Sequence, residues 1–321
     1  MSAGIEGYLY ANESNKELTF NGIIDYTVNN SRSKEVYDYS GQYEWGDWWL
    51  LGNPYVCNAY LSSASANGTA LPYIKMNGDG DGFTNVAAGT PIEPMEGFFY
   101  QTDATKDVYV VTTAPAVQSG SKLNMNLRRN NKQLDNAILV FGGEQQLGKI
   151  SFREGSSKVY MPVEGKDYAI TSVEGQVGEV PVSFVPEKNG TYSLSFTSEE
   201  VSFSYLHLID NMTGADVNLL QTPSYTFDAR TTDYASRFRL VFATGSSVTD
   251  DTFGFVNGSG NFCIFGIEGE ATVQVIDVLG HVLSNEQFSG SYERHLNVAP
   301  GVYMIRLIQG NDIRVQMMVV R

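Results

Sequence analysis

Two stretches carry residues whose types and spacing could do chemistry. In Asn77-Gly-Asp-Gly-Asp-Gly82, side-chain oxygens recur at alternate positions, Asn77, Asp79 and Asp81. Calcium takes oxygen ligands, and intervening glycines let the chain curl round an ion. As an EF-hand loop these would be positions one, three and five, with Gly82 at the sharp bend, but position twelve is Ala88, where a bidentate glutamate is required. Two readings stay open: a looser calcium site, or a solvated hairpin tip, since Asn-Gly and Asp-Gly favour two-residue β-turns. The second stretch is aromatic: Tyr43, Trp45, Trp48 and Trp49 hold all 3 tryptophans of the chain. On a strand, Trp45 and Trp49 would share one face and Trp48 the other. Flat rings at Tyr43, Trp45 and Trp48 would offer a stacking platform for the apolar face of a sugar. The competing reading puts Trp49 and Leu51 in the core, with Trp45 covering a sandwich edge, because tryptophan buries a large area.

Nothing in the chain assembles a reaction centre. The histidines are His207, His281 and His295, and a serine or cysteine nucleophile would need one of them within hydrogen-bond reach. No Gly-x-Ser-x-Gly elbow, zinc-ligand spacing or phosphate-binding loop occurs. A remote carboxylate pair for glycoside cleavage has no local signature, and 36 acidic residues give no means of choosing one. The expectation is a chain that binds rather than catalyses. Cys57 and Cys263 are far apart in sequence and are expected to stay unpaired, as small apolar residues.

The elements that would hold these residues read as strands throughout. The 321 residues include 32 glycines, 19 tyrosines and 17 phenylalanines, and no long helical periodicity appears. The predicted fold class is all-β: tandem β-sandwiches of jelly-roll or immunoglobulin-like type, ending in a small immunoglobulin-like domain. The net charge of −15 opposes nucleic acid, whose phosphates would be repelled. No apolar run reaches the ~18 residues of a membrane helix, so the chain is not expected to span a membrane by a helix. Met1-Ser-Ala-Gly does not resemble a signal peptide and suggests a fragment boundary.

In chain order, Leu18-Thr-Phe-Asn and Ile23–Val28 read as short strands, Ser31–Gln42 as a polar loop, and Val56–Leu61 as a strand or short helix. The stretch Pro91–Tyr100 enters a strand, and another follows at Val108–Thr113. A second region alternates at Leu123, Met125 and Leu127. Further strands are expected at Ala137–Phe141, Lys149–Phe152 and Val180–Val185. Lys188-Asn-Gly190 reads as a hairpin into Thr191–Phe196, and strands at Val201–Asp210, Ser224–Asp228 and Ser236–Phe242 close the region. The last seventy residues alternate again. Ala271, Val273 and Val275 share a face, and Gly310-Asn311, with glycine first, predicts a type II′ turn between Val302–Ile308 and a returning strand. The expected division is 1–117, 118–243, a polar linker 244–252, and 253–321, a small sandwich of about seven strands.

Two resemblances add to this. Val273-Gln-Val-Ile-Asp-Val-Leu-Gly280, Ala299-Pro-Gly-Val-Tyr303 and Val319-Val-Arg321 resemble the C-terminal sorting domain of type IX secretion cargo in Bacteroidota. That family is an immunoglobulin-like sandwich that takes cargo across the outer membrane. The family's last strand often carries a lysine before its valines; here the basic residues are Arg314 and Arg321. Trp49–Tyr55 with Ile92–Phe99, and Leu208–Leu219 with Tyr225–Phe227 and Arg237–Phe242, resemble modules of large Bacteroidota surface proteins described as adhesin-like. Their ligand is generally undefined, so no binding residue follows. The resemblances imply a secreted or surface-attached protein with an adhesive role, meeting a host protein, matrix protein or glycan. Two alternatives stand beside it: a carbohydrate-binding module, and the C-terminal tail of a longer secreted enzyme. No cofactor is expected apart from calcium at Asn77, Asp79 and Asp81.

Overall fold

The computed structural model describes residues 4–8, 17, 19, 31–77, 82–117, 121–150, 155–174, 177–244, 254–256, 261–264, 267, 269–289, 292–295 and 297–320. These residues form strands and turns with no helix, so the all-β class holds. The strands predicted at Leu18–Asn21 and Ile23–Val28 lie almost wholly outside the described residues.

The N-terminal strands are β1 (Ser31–Val36), β2 (Trp48–Gly52), β3 (Tyr60–Ser62), β4 (Tyr73–Met76), β5 (Phe83–Val86), β6 (Gly97–Gln101) and β7 (Lys106–Val111). They make two sheets, β1-β7-β3 and β2-β6-β4-β5. Between them lie Val36, Leu51, Leu61, Tyr73, Phe98, Val108 and Val110, all buried. Period-two alternation gives the second sheet two apolar faces. Trp49 and Leu51 point into this core, whereas Trp48, Leu50, Ile74, Phe83 and Phe99 point the other way. There they meet Ile138, Val140, Leu147, Ile150 and Ile170 of the next group of strands. The first two regions therefore pack through a shared apolar layer.

That next group is β8 (Ser121–Arg129), β9 (Lys132–Phe141), β10 (Leu147–Gly148), β11 (Lys158–Val163), β12 (Lys166–Val173), β13 (Val177–Val185), β14 (Gly190–Glu199), β15 (Phe203–Asp210), β16 (Ala215–Asn218), β17 (Ser224–Ala229) and β18 (Phe238–Thr244). They form one path, β16-β15-β18-β13-β11-β12-β9-β8-β14-β17, with β10 on β12. The path folds back on itself over a single core, as one arm supplies Leu123, Met125, Tyr192 and Leu194 and the other Val182, Phe184, Leu208 and Phe242. The turn is made at β11. Its residues Lys158–Tyr160 pair with β13, and Met161–Val163 pair with β12.

The last strands are β19 (Gly254–Val256), β20 (Asn261–Ile264), β21 (Glu270–Ile276), β22 (Val282–Ser289), β23 (Tyr292–His295), β24 (Gly301–Gln309) and β25 (Asp312–Val320). Sheets β19-β20-β23 and β22-β21-β24-β25 enclose Phe262, Ile264, Val273, Val275, Ile305 and Leu307. The Gln316 side chain ties the sheets by exchanging hydrogen bonds with the Gly254 backbone, 3.1 Å from its N–H and 2.7 Å from its carbonyl.

Several expectations change. Ser31–Val36 is a strand, not loop: its backbone pairs with β7 at a sheet edge, where only Val36 needs to be buried. The stretch Val56–Leu61 resolves into a bend followed by β3. Lys188-Asn-Gly190 is not a hairpin, because β13 and β14 are not neighbours; the chain crosses between the two arms, and Gly190 pairs with Ala229. Lys149 and Ile150 lie outside any strand, although Lys149 N–H still bonds the Asp167 carbonyl at 2.8 Å. Cys57 is exposed rather than packed. The interior position nearby belongs to Asn53, whose amide donates to the carbonyls of Cys57, Ile92 and Glu93 at 2.9, 3.0 and 2.9 Å. The side chain of Cys263 lies outside what is described.

Strands β11, β12 and β23 were not anticipated. Glu164-Gly165, both at positive φ (49° and 80°), closes the tight β11–β12 turn. At Gly310-Asn311 only the glycine has positive φ, 59°, as a type II′ turn requires.

Candidate functional site

The aromatic stretch is a hydrogen-bonded loop over residues 37–47 that leads into β2. Its shape is set by backbone bonds: Tyr39 N–H to Gly46 carbonyl (2.9 Å), Gln42 and Tyr43 N–H to Tyr39 carbonyl (2.8 and 3.0 Å), and Gly46 N–H to Tyr43 carbonyl (3.1 Å). Gly46 is required for steric reasons, as a Cβ there would stand 2.2 Å from the Tyr39 carbonyl oxygen. The Ser40 N–H donates to Asp38 Oδ1 at 2.8 Å. The bonds from Ser40 hold the Asp38 carboxyl below its usual range. At the far end, Thr102 N–H bonds the Asp47 carbonyl (2.8 Å), and the Gln101 amide donates to Asp47 Oδ2 at 2.7 Å. Gln101 in turn accepts from Gly148 N–H at 2.7 Å, linking the loop's base to β10.

The rings are ordered on this frame. Trp49 is the anchor. Its indole N–H donates to the Tyr37 carbonyl at 3.0 Å, and the Lys34 ammonium sits 5.7 Å from its ring centroid. Tyr37 lies 6.1 Å from Trp49 and stacks on Tyr39 at 5.8 Å, and Tyr39 meets Tyr43 edge-on at 6.3 Å. The Tyr37 hydroxyl donates to Glu35, which raises the phenol pKa. The outer rings face solvent: Tyr39 is 39% exposed, Tyr43 65% and Trp45 37%.

The structure thus splits the three aromatics singled out from sequence. Tyr43 and Trp45 are together on the exposed loop, and Trp45 lies in a turn rather than on the strand. Trp48 begins β2 and packs into the apolar layer against the second region. Tyr37 and Tyr39 take its place in the ring cluster. A tyrosine every second residue at Tyr37 and Tyr39, just before the tryptophans, was the available signal.

At the other candidate, β4 and β5 pair antiparallel up to Met76 and Phe83, and Asn77 N–H bonds the Gly82 carbonyl at 2.8 Å. The hairpin reading is met at its base. Asn77 Oδ1 accepts from the Thr84 hydroxyl at 2.6 Å. Asp79 and Asp81 lie outside the described residues, and so does any calcium coordination through them. Among the described residues no cluster of histidine, cysteine, aspartate and glutamate is placed to hold a metal. Of the histidines, His207 stacks on Tyr205 at 4.1 Å and pairs through Nδ1 with Asp216 at 2.6 Å, while His281 pairs with Asp277 at 3.0 Å. No described helix is long and apolar enough to cross a membrane.

No family model matches the chain, and no curated protein is similar to it. Among solved structures, a biofilm-associated protein, BSP domain, is similar over 85% of this chain at 11% identity and a TM-score of 0.21. The chain spans 59% of that protein's length.

Proposed function

We propose that this chain is a non-catalytic cell-surface protein that adheres through exposed β-sandwich loops, and that the 37–47 loop is its contact site for glycan. The observation that carries the reading is the combination of exposure and rigidity. Tyr39, Tyr43 and Trp45 are held outward by a closed set of backbone bonds, so little ordering cost falls on binding. Aromatic side chains offer large amphipathic contact area, and the carboxylates of Asp38 and Glu44 beside them can accept sugar hydroxyls. The acidic surface, net charge −15, favours an uncharged glycan over a sulfated one. The modular series 1–117, 118–243 and 253–321, and the C-terminal likeness to type IX sorting domains of Bacteroidota, support an extracellular or outer-membrane-associated location.

Glycan-array and matrix-protein binding by the full chain tests this. Neutral glycans are expected to bind the parent and to lose at least tenfold in affinity in the double variant Tyr43→Ala, Trp45→Ala. An array on which the parent binds nothing, or on which the variant binds equally, overturns the assignment.

A further inference from the structure

Behind the aromatic loop, where the two N-terminal regions meet, a lysine and an aspartate are buried together. Lys149 follows β10 and Asp135 lies on β9, and their side chains are 5% and 8% exposed. Lys149 Nζ is 2.6 Å from Asp135 Oδ1 and 3.1 Å from the Asn136 carbonyl. Asp135 Oδ2 accepts the Val159 N–H at 2.8 Å. Apolar neighbours Ala137, Ile138, Ile150 and Val159 are buried around them. Nothing in the proposed binding function uses this pair.

The hydrogen-bond inventory is informative. An ammonium has three donors, and Nζ meets two acceptors. The ion pair therefore leaves one ammonium hydrogen without an acceptor among the described residues. Burial raises the Asp135 carboxyl and lowers the Lys149 amine, and both shifts favour the uncharged forms. Moving one proton from Nζ to Oδ1 along the 2.6 Å contact turns an ion pair into an amine beside a carboxylic acid without any exchange with solvent.

We propose that Lys149 and Asp135 condense spontaneously in the folded protein, forming an isopeptide bond between Nζ and Cγ. The Nζ lone pair attacks Cγ. The Val159 N–H, already on Oδ2, supports the negative charge that develops there. The Cγ–Oδ1 bond breaks, and Oδ1 leaves as water with the two protons that began on Nζ. The products are one secondary amide and one water, with no oxidant, metal or co-reactant. Fixed placement supplies the rate: well-oriented intramolecular partners reach effective molarities of ~10⁵–10⁸ M. Burial supplies the direction, because the amide removes two groups whose charges the interior opposes. The bond would staple β9 to the segment after β10, beside the layer on which the N-terminal sandwich rests.

The test is intact mass of the full chain under denaturing conditions, followed by mapping. The expected mass is lower than that of the sequence by one water. Trypsin is expected to leave Lys149 uncut and to release residues 133–153 as one cyclic peptide. Lys149→Arg is expected to restore the full mass, and Asp135→Asn to lose ammonia in place of water. Succinimides at Asp79-Gly80 or Asp81-Gly82 give the same loss of water, but they open in hydroxylamine and map elsewhere. An unmodified mass after prolonged incubation of the folded parent, or a loss that maps away from Lys149, overturns the proposal. This result needs no variant to fold.

Discussion

Asn85 and Asn136 bind each other's backbone across the boundary between the N-terminal sandwich and the second region. Asn136 Oδ1 accepts the Asn85 N–H at 2.8 Å, and its amide donates to the Asn85 carbonyl at 3.0 Å. The Asn85 amide donates to the Asn136 carbonyl at 2.7 Å. Both side chains are buried. Two strands that never join one sheet, β5 and β9, are thus connected as if by a rung of ladder. Hydrogen bonding supplies direction to a contact whose bulk is apolar.

Removing the Asn136 side chain should therefore cost more than one ordinary hydrogen bond, since it leaves the buried Asn85 N–H and carbonyl without these mates. Asn136→Ala is expected to destabilise the fold by about 1–3 kcal/mol, and Asn85→Ala by less, because the Asn136 carbonyl keeps its contact with Lys149 Nζ. The double variant should cost less than the sum of the two single changes. Urea unfolding of the two single variants and the double variant checks both statements.

Gly46→Ala is expected to open the aromatic loop, because its Cβ has only 2.2 Å to the Tyr39 carbonyl oxygen. The sandwich core lies elsewhere, so far-ultraviolet circular dichroism should be unchanged while glycan binding falls as in the Tyr43→Ala, Trp45→Ala variant. Intact binding in Gly46→Ala would show that loop rigidity does not matter.

The two faces of the tryptophan stretch should separate in stability measurements. Trp48→Ala removes packing from the apolar layer and is expected to lower stability by roughly 0.5–3 kcal/mol. Tyr43→Ala, on the exposed side, should stay within about 0.5 kcal/mol. Thermal melts of the two variants suffice.

Arg237 and Asp210 give a prediction in pH. The guanidinium bonds the carboxylate at 2.8 Å through NH2 and 3.1 Å through Nε, with both side chains buried. Burial alone would raise the Asp210 pKa; the hydrogen bonds from Arg237 and from Met212 N–H outweigh it and hold the carboxyl below its ordinary range. A depressed folded pKa means stability that is full above the unfolded value, about 3.9, and is lost as pH falls through the folded value. Arg237→Leu should cost roughly 3–5 kcal/mol at neutral pH by stranding the carboxylate. That cost should shrink below pH ~4, where Asp210 in the variant is already protonated. Denaturation midpoints across the acid range test the sign.

The strands legible in the sequence were those with one buried and one wet face. Leu123, Met125 and Leu127, Tyr192, Leu194 and Phe196, and Val273 and Val275 alternate as read and are all buried. Strand β1 stayed hidden because an edge strand is held by backbone pairing to β7 and has little need of apolar contrast. Local turn chemistry misled at Lys188-Asn-Gly190, since it marks where a chain bends and not which strand it joins next. The site was half legible. Composition located the aromatics, but only the closed loop of bonds around Gly46 decides that Tyr43 and Trp45 face outward while Trp48 faces a neighbour. The pairing of Lys149 with Asp135 left no trace in sequence, being made by the placing of β9 beside β11 and β12, the latter also pairing with β10.

Strand β11 belongs half to each arm of the central sheet, through Lys158–Tyr160 and Met161–Val163. A sandwich with separate leaves can part like the covers of a book, along the greasy seam alone. Here the spine is itself a strand, and parting the covers means tearing its hydrogen bonds on one side. Pulling forces transmitted along the chain meet the hydrogen bonds of that strand as well as the apolar seam.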